Sequence, residues 1–338
     1  MIEQQSQLIE QLNARNVAMQ ATLAELATRQ AERAVDAAVA AAGVSVPPQA
    51  RAEAVDAISS AIKELAGRSD AAAKRIRDLL GRGDGIGAKA AFDDMLREKA
   101  AAGLPPDPAD ARLARDIAKL LEFKDVRTAA ALYDKASELD DTDVWTFINL
   151  GDQHVAAGDL NAAMRAFERA RALSEESKNE RDLSVSHDRI GDVLVAQGRL
   201  PAALDAYRAS LAIAERLAAA DPGNAGWQRD LSVSHNKIGD VLVAQGSLPA
   251  ALDAYRASLA IAERLAKADP GNAGWQHDVA LSLQRVGIVA ARQGQIAEAR
   301  ATYERGLVIM EKLVALAPTH AGFKRDLDWF TARLAELK

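Results

Sequence analysis

The chain contains no cysteine, which excludes disulfides, thiol nucleophiles and thiolate metal sites. That absence is compatible with a reducing cytoplasm, the expected location. Aromatic residues make up only 4% of 338 residues although 49% are hydrophobic. The apolar content is therefore aliphatic and small, a mixture that favours close-packed helices over strands. No apolar run reaches the ~18 residues of a membrane span, so no membrane insertion is expected. The opening MIEQQSQLIEQLNARN lacks the basic-then-apolar order of a secretory signal. A basic excess is missing too: 42 Lys and Arg face 48 Asp and Glu, a net charge of −6. General nucleic-acid binding needs the opposite balance and is not expected.

What the sequence does have is repetition. Residues 181–228 and 229–276 differ at four positions only: Asp188/Asn236, Arg189/Lys237, Arg199/Ser247 and Ala219/Lys267. A diverged copy occupies 277–324, a truncated one begins at Arg325, and 141–180 form a shorter relative. Within 229–276, Leu231, Ile238, Val241 and Leu242 recur at helical spacing and Gly246 stands where a helix ends. Ala251, Leu252, Tyr255, Leu259, Ile261 and Leu265 form a second helical stretch. It closes at Asp269–Asn272, with Asn272 placed to cap the next helix. Each unit reads as an antiparallel helix pair that buries its apolar face against its neighbours.

The pattern resembles the tetratricopeptide repeat. A glycine recurs at Gly151, Gly191, Gly239 and Gly287, an alanine at Ala163, Ala203, Ala251 and Ala299, and a ring at Phe167, Tyr207, Tyr255 and Tyr303. A small residue lets two helices approach and the ring fills the space beside it. Ser210, Ser258 and Gly306 depart from the family's alanine but remain small, and Phe147, His187, His235 and Leu283 replace its usual tryptophan. The resemblance implies an all-α, right-handed solenoid with repeats at 143–180, 181–228, 229–276 and 277–324 and a capping helix at 325–338. Degenerate repeats are expected over 51–142, carried by Gly83, Ala88 and Phe92 and by Ala129, Tyr133 and Ala136. A period of 48 instead of the family's 34 implies helices longer by about two turns each. Trp227, Trp275 and Phe323 fall in the added length and are expected to pack between successive pairs.

Residues 1–42 read as one N-terminal helix, and over 2–30 they follow another period. Ile2, Ile9, Asn16 and Leu23 occupy heptad a positions, and Gln5, Leu12, Met19 and Leu26 occupy d. A lone Asn at a fixes register in two-stranded coiled coils. One reading is an oligomerisation helix giving a homodimer; the other is a helix folded back on its own repeats. A linker at 43–50 is expected to decouple it from the array.

Candidate chemistry is thin. The run Gly81–Lys89 lacks the Gly-Lys-Ser/Thr of a phosphate loop and follows a helical stretch, so it reads as a helix-to-helix turn. His154, His187, His235, His277 and His320 lack metal-site spacing, and the Ser184, Ser186, His187 group is copied in the next repeat. No enzyme, metal or cofactor is expected. The family resemblance instead implies a protein or peptide partner on the concave face. Its positions there are Val185, Asp188, Asp192 and Val195, then Val233, Asn236, Asp240 and Val243, then Leu281, Gln284, Ile288 and Arg292. Arg189–Asp192 and Lys237–Asp240 are expected as local pairs within an acidic middle. Asp188 and Asp192 would repel a carboxylate, so basic or mixed amphipathic segments fit better. The competing expectation is a sensor or self-association arm of a larger bacterial signalling or effector protein.

Overall fold

A computed structural model describes residues 2–337, with side chains from residue 14 onward except Asn16. The described residues contain helices and connections but no strand. They fall into two compact units, Met1–Leu173 and Ser174–Lys338.

The first unit opens with the 41-residue helix α1 (Ile2–Ala42), followed by α2 (Pro48–Ala66). Ala27, Ala31, Ala34, Val35 and Ala38 are buried, a small-residue stripe that lets α1 lie close on α2. The hydroxyls of Thr28 and Ser59 meet at 3.1 Å, and Arg51 Nε donates to Asp36 at 2.8 Å across the same pair. The expected decoupling linker at 43–50 is thus corrected. The turn ends at Pro47, Pro48 opens α2, and α1 is docked through its second half. Alanine-rich burial has no bulky periodicity to announce it in sequence.

The pairs α3 (Ala71–Leu80) with α4 (Gly85–Ala101) and α5 (Pro108–Leu121) with α6 (Val126–Leu139) occupy the stretch read as degenerate repeats. Ala88, Phe92, Ala129, Tyr133 and Ala136 are all buried in them. The Gly81–Lys89 run supplies the turn between α3 and α4 and the start of α4, where Asp84 caps the helix by accepting from Gly87 N at 2.9 Å. Next come α7 (Val144–Ala156) and α8 (Leu160–Ser177). A side chain at Gly151 would overlap the Phe167 ring.

The second unit holds α9 (Glu180–Ala196), α10 (Leu200–Ala220), α11 (Ala225–Ala244), α12 (Leu248–Ala268), α13 (Ala273–Arg292), α14 (Ile296–Leu316) and α15 (Ala321–Glu336). Asn224 and Asn272 cap α11 and α13 with their side-chain oxygens, while Gly198, Gly246 and Gly294 leave the preceding helix at φ 73°, 77° and 77°. Helices α11, α13 and α15 start at 225, 273 and 321, four residues before the sequence frame, because Ala-Gly-Trp-Gln and its relatives belong to the helix, whereas α9 starts at 180. The last helix accordingly begins at Ala321, not Arg325. The lengthening is also unequal. Helix α11 exceeds α7 by seven residues, 20 against 13, whereas α12 exceeds α8 by three, 21 against 18.

Candidate partner-binding face

Each pair in the second unit closes on a glycine. A Cβ at Gly191, Gly239 or Gly287 would overlap Tyr207, Tyr255 or Tyr303, so the ring lies flat against bare backbone. The tyrosine hydroxyl then reaches the first helix. Tyr207 donates to Asp192 and Tyr255 to Asp240, both at 2.6 Å. Burial and the accepting carboxylate push both phenols well above their ordinary range. Ile288 stands at the third equivalent position, and Tyr303 instead meets Trp329 edge-on at 5.4 Å.

These carboxylates are further tied across repeats. Lys237 donates to Asp192, 45 residues back, and sits 5.2 Å from the Tyr207 ring centroid. Arg285 Nε likewise approaches Asp240 at 3.4 Å. Of the two expected local pairs, Arg189–Asp192 forms at 3.7 Å. Lys237, expected on Asp240, bridges to the previous repeat instead. The expected acidic middle is thereby largely neutralised, since Asp192 and Asp240 each face a cation and a hydroxyl.

A second series runs near the other end of the same helices. Arg229 stacks 5.9 Å from the Trp275 centroid and donates to Asp278 at 3.0 Å. Arg181 lies 5.5 Å from the Trp227 centroid, with Asp230 within its electrostatic reach. In the last step His277 meets Phe323 at 5.1 Å and Asp326 at 2.8 Å. Trp227, Trp275 and Phe323 are half-buried between successive pairs, as their positions in the added length suggested. The basic side chain and carboxylate accompanying each ring have one sequence signal, a spacing of 49 between Arg229 and Asp278 that His277 and Asp326 share.

The serines and histidines have structural work. Ser184 and Ser210 pair their hydroxyls at 2.9 Å, and Ser232 and Ser258 do so at 2.8 Å. Both partners change together at Ala280 and Gly306. His187 and His235 are half-buried, and burial holds the His235 imidazole below its ordinary pKa, opposed by Glu215.

Among the twelve positions carried over from the family, Val195 is 39% exposed and Val233 38%. Asp240 and Arg292 are also exposed, while Val185, Asp188, Asp192, Asn236, Val243, Leu281, Gln284 and Ile288 are half-buried. Val243 packs partly against the core formed by α12 and α13. Asp188 differs from the others. Its Oδ1 is buried without a protein partner, and burial lifts its pKa to about 6, opposed by Lys237 and a hydrogen bond from Ser210. Asn236 Oδ1, its counterpart, is likewise buried and unpartnered.

In the first unit, Met19, Leu23 and Leu26 are 58%, 51% and 56% exposed although neighbouring Ala27 is 4% exposed. Leu23 and Leu26 border a cleft shared with Ile62, Lys63 and Ala66 of α2, one turn before the buried alanines. The side chains of Ile2, Ile9, Leu12 and Asn16, the remaining oligomerisation candidates, lie outside the described residues. No described helix is long and apolar enough to cross a membrane. Among the described residues no group of three His, Cys, Asp or Glu could hold a metal ion.

Residues 143–216 match the family model described as tetratricopeptide repeat. No curated protein matches the sequence. Among solved structures, BtubC (BKLC) from P. vanneervenii is similar at 16% identity and TM-score 0.53, over 75% of this chain and 94% of that one. A putative kinesin light chain from Podosopora anserina with nearly identical TPR-like repeats aligns at 16% identity and TM-score 0.49, over 61% and 97%. MamA aligns at 21% identity and TM-score 0.42, over 58% and 95%.

Proposed function

We propose, proceeding from a chain that carries tetratricopeptide repeats over residues 143–216, that it is a non-enzymatic scaffold binding a segment of a partner protein along the first helices of its pairs. The observation that carries this reading is the surface of α9, α11 and α13. Val195 and Val233 are exposed there, beside half-buried Leu281 and Ile288. Asp192 and Asp240 are fixed by Tyr207, Lys237, Tyr255 and Arg285, so the surface is rigid before a ligand arrives. Preorganisation lowers the ordering cost of association. Affinity capture with the wild-type chain and with the double variant Val195→Glu, Val233→Glu tests it. The expected result is loss of specifically retained proteins by the variant while its helicity and melting are kept. An unchanged set would refute this face.

A second assignment concerns α1. Its exposed residues Met19, Leu23 and Leu26 continue the heptad pattern of residues 2–16, ahead of the alanines that are buried from Ala27 onward. Heptad periodicity is the signature of a helix paired with another helix. The reading is a homodimer formed through residues 2–26. Light scattering should give twice 36.0 kDa for the chain, and Leu23→Asp with Leu26→Asp should return the single mass. A monomeric wild-type chain at high micromolar concentration would reject it.

A further inference from the structure

We propose that the cleft between α1 and α2 receives helix α1 of a second copy of this chain, running antiparallel, so that each copy's N-terminal segment covers the other's exposed leucines. This rests on the homodimer read from α1 above, and adds its direction and a second contributing helix. Helix α1 has 41 residues and α2 only 19. Leu23 and Leu26 share the cleft with Ile62, Lys63 and Ala66 at the end of α2. The part of α1 before Gln20 therefore runs past α2 for about 27 Å, at 1.5 Å per residue. The cleft has a volume of about 560 Å³ and mostly apolar walls. A groove of this kind is filled by a helix that lays apolar residues into it at i, i+3 and i+4 spacing. Ile9 and Leu12 have that spacing.

Charge decides the direction. Two cations line the cleft, Lys63 and Arg77. Arg77 pairs with Asp78 at 3.6 Å, whereas Lys63 is exposed and has no carboxylate partner among the described residues. In the heptad frame the cleft residues Gln20 and Ala27 are e positions, so Lys63 lies on the e side of α1. A parallel partner turns its g positions to that side, which brings Arg15 and Arg29 toward Lys63. An antiparallel partner turns its e positions there, the uncharged Ser6, Asn13 and Gln20, with Glu3 and Glu10 at the adjoining b positions. The register that sets Ile9 against Leu26 also sets Leu12 against Leu23, apolar on apolar, with Asn16 beside Met19 at the centre. The Thr28–Ser59 contact puts Lys63 level with Ala24, and in that register Glu10 and Gln11 of the second copy reach the same level. A two-fold axis fills both clefts at once.

Because the chain has no cysteine, introduced thiols report the pairing directly. The whole chain is prepared with Leu12→Cys, with Leu23→Cys and with both, oxidised mildly, and resolved by mass without reducing agent. A disulfide needs its two Cα atoms within about 7 Å. The double variant should give a covalent dimer of twice 36.0 kDa, and each single variant should stay uncrosslinked. Sedimentation then tests the α2 contribution. Lys63→Glu should weaken dimerisation about 10-fold, since the contact occurs at both ends of a two-fold pair, and adding Glu10→Lys should restore it. Efficient crosslinking of Leu23→Cys with itself would overturn the proposal and leave a parallel homodimer standing. A dimer indifferent to Lys63→Glu would take α2 out of the interface and overturn it as well. A wild-type chain that stays monomeric at high micromolar concentration removes both this proposal and the homodimer.

Discussion

Helices α9 and α10 form one pair and α11 and α12 its near-copy, and the two solve packing identically but electrostatics differently. In both, a tyrosine ring covers a glycine, its hydroxyl donates to an aspartate at 2.6 Å, and two serine hydroxyls meet across the helices. Of their four differences, two lie exposed at Arg199 and Ala219, and two lie at the ion-pair network. Packing, which depends on shape, is thus held constant along the array. Charge at Asp188/Asn236 and Arg189/Lys237 is where one repeat is made distinguishable from the next.

The largest test of the shared packing is Gly191→Val beside Gly239→Val. Each should displace its ring and cost about 3 kcal/mol by chemical denaturation, at the upper end of overpacking costs. Unequal losses would show that the pairs are not mechanically equivalent. Next is the charge difference. Asp188 has its pKa raised from 3.8 to about 6, chiefly by burial, so the folded state prefers its protonated form. Its contribution is most favourable below pH ~4 and is lost as pH rises through ~6. Asp188→Asn should therefore stabilise the chain by about 1–2 kcal/mol near pH 8, after discounting for partial exposure, and the gain should vanish near pH 4. Asn236→Asp should destabilise with the same pH profile, and a flat profile for either would break the assignment. Tyr207→Phe and Tyr255→Phe should each cost about 1 kcal/mol through the lost hydrogen bond to a carboxylate. Smallest of all, Arg199→Ser should change the melting free energy by under ~0.5 kcal/mol. Serine is a good N-cap in general, yet Ser247 in the copy makes no capping bond.

Those features were legible in the sequence to different degrees, for physical reasons. Gly246 and Asn272 announced helix ends because a positive φ and a side-chain cap demand particular residue types. The Gly–Tyr contacts were readable because their spacing recurs four times. Lys237 and Asp240 stand three positions apart along one helix and so read as a local pair, but the Lys237 side chain crosses to α9 and meets Asp192 beside the Tyr207 ring. Sequence distance weights the local pair, whereas packing decides which helix the long side chain lies against. A cleft lined by Asp188 was visible only as a family position, since its form depends on Leu217 and Trp227 from two other helices. The docking of α1 rests on alanines that carry little periodic signal.

The contact at Gly306 bears on how such a chain grows. A Cβ there would overlap the Phe330 ring of α15, where the two preceding pairs carry Ser210 and Ser258 at the Gly306 position. At the place of Phe330 the earlier first helices carry Ser234 and Ser282. Hole and knob have changed together at the last junction. A further 48-residue copy inserted between residues 181 and 276 meets the same neighbours on both sides. One inserted after Gly306 would separate that glycine from the one ring that fits against it. Duplication is accommodated between the twin repeats, whereas the junction of α14 and α15 is fixed by one glycine and one phenylalanine.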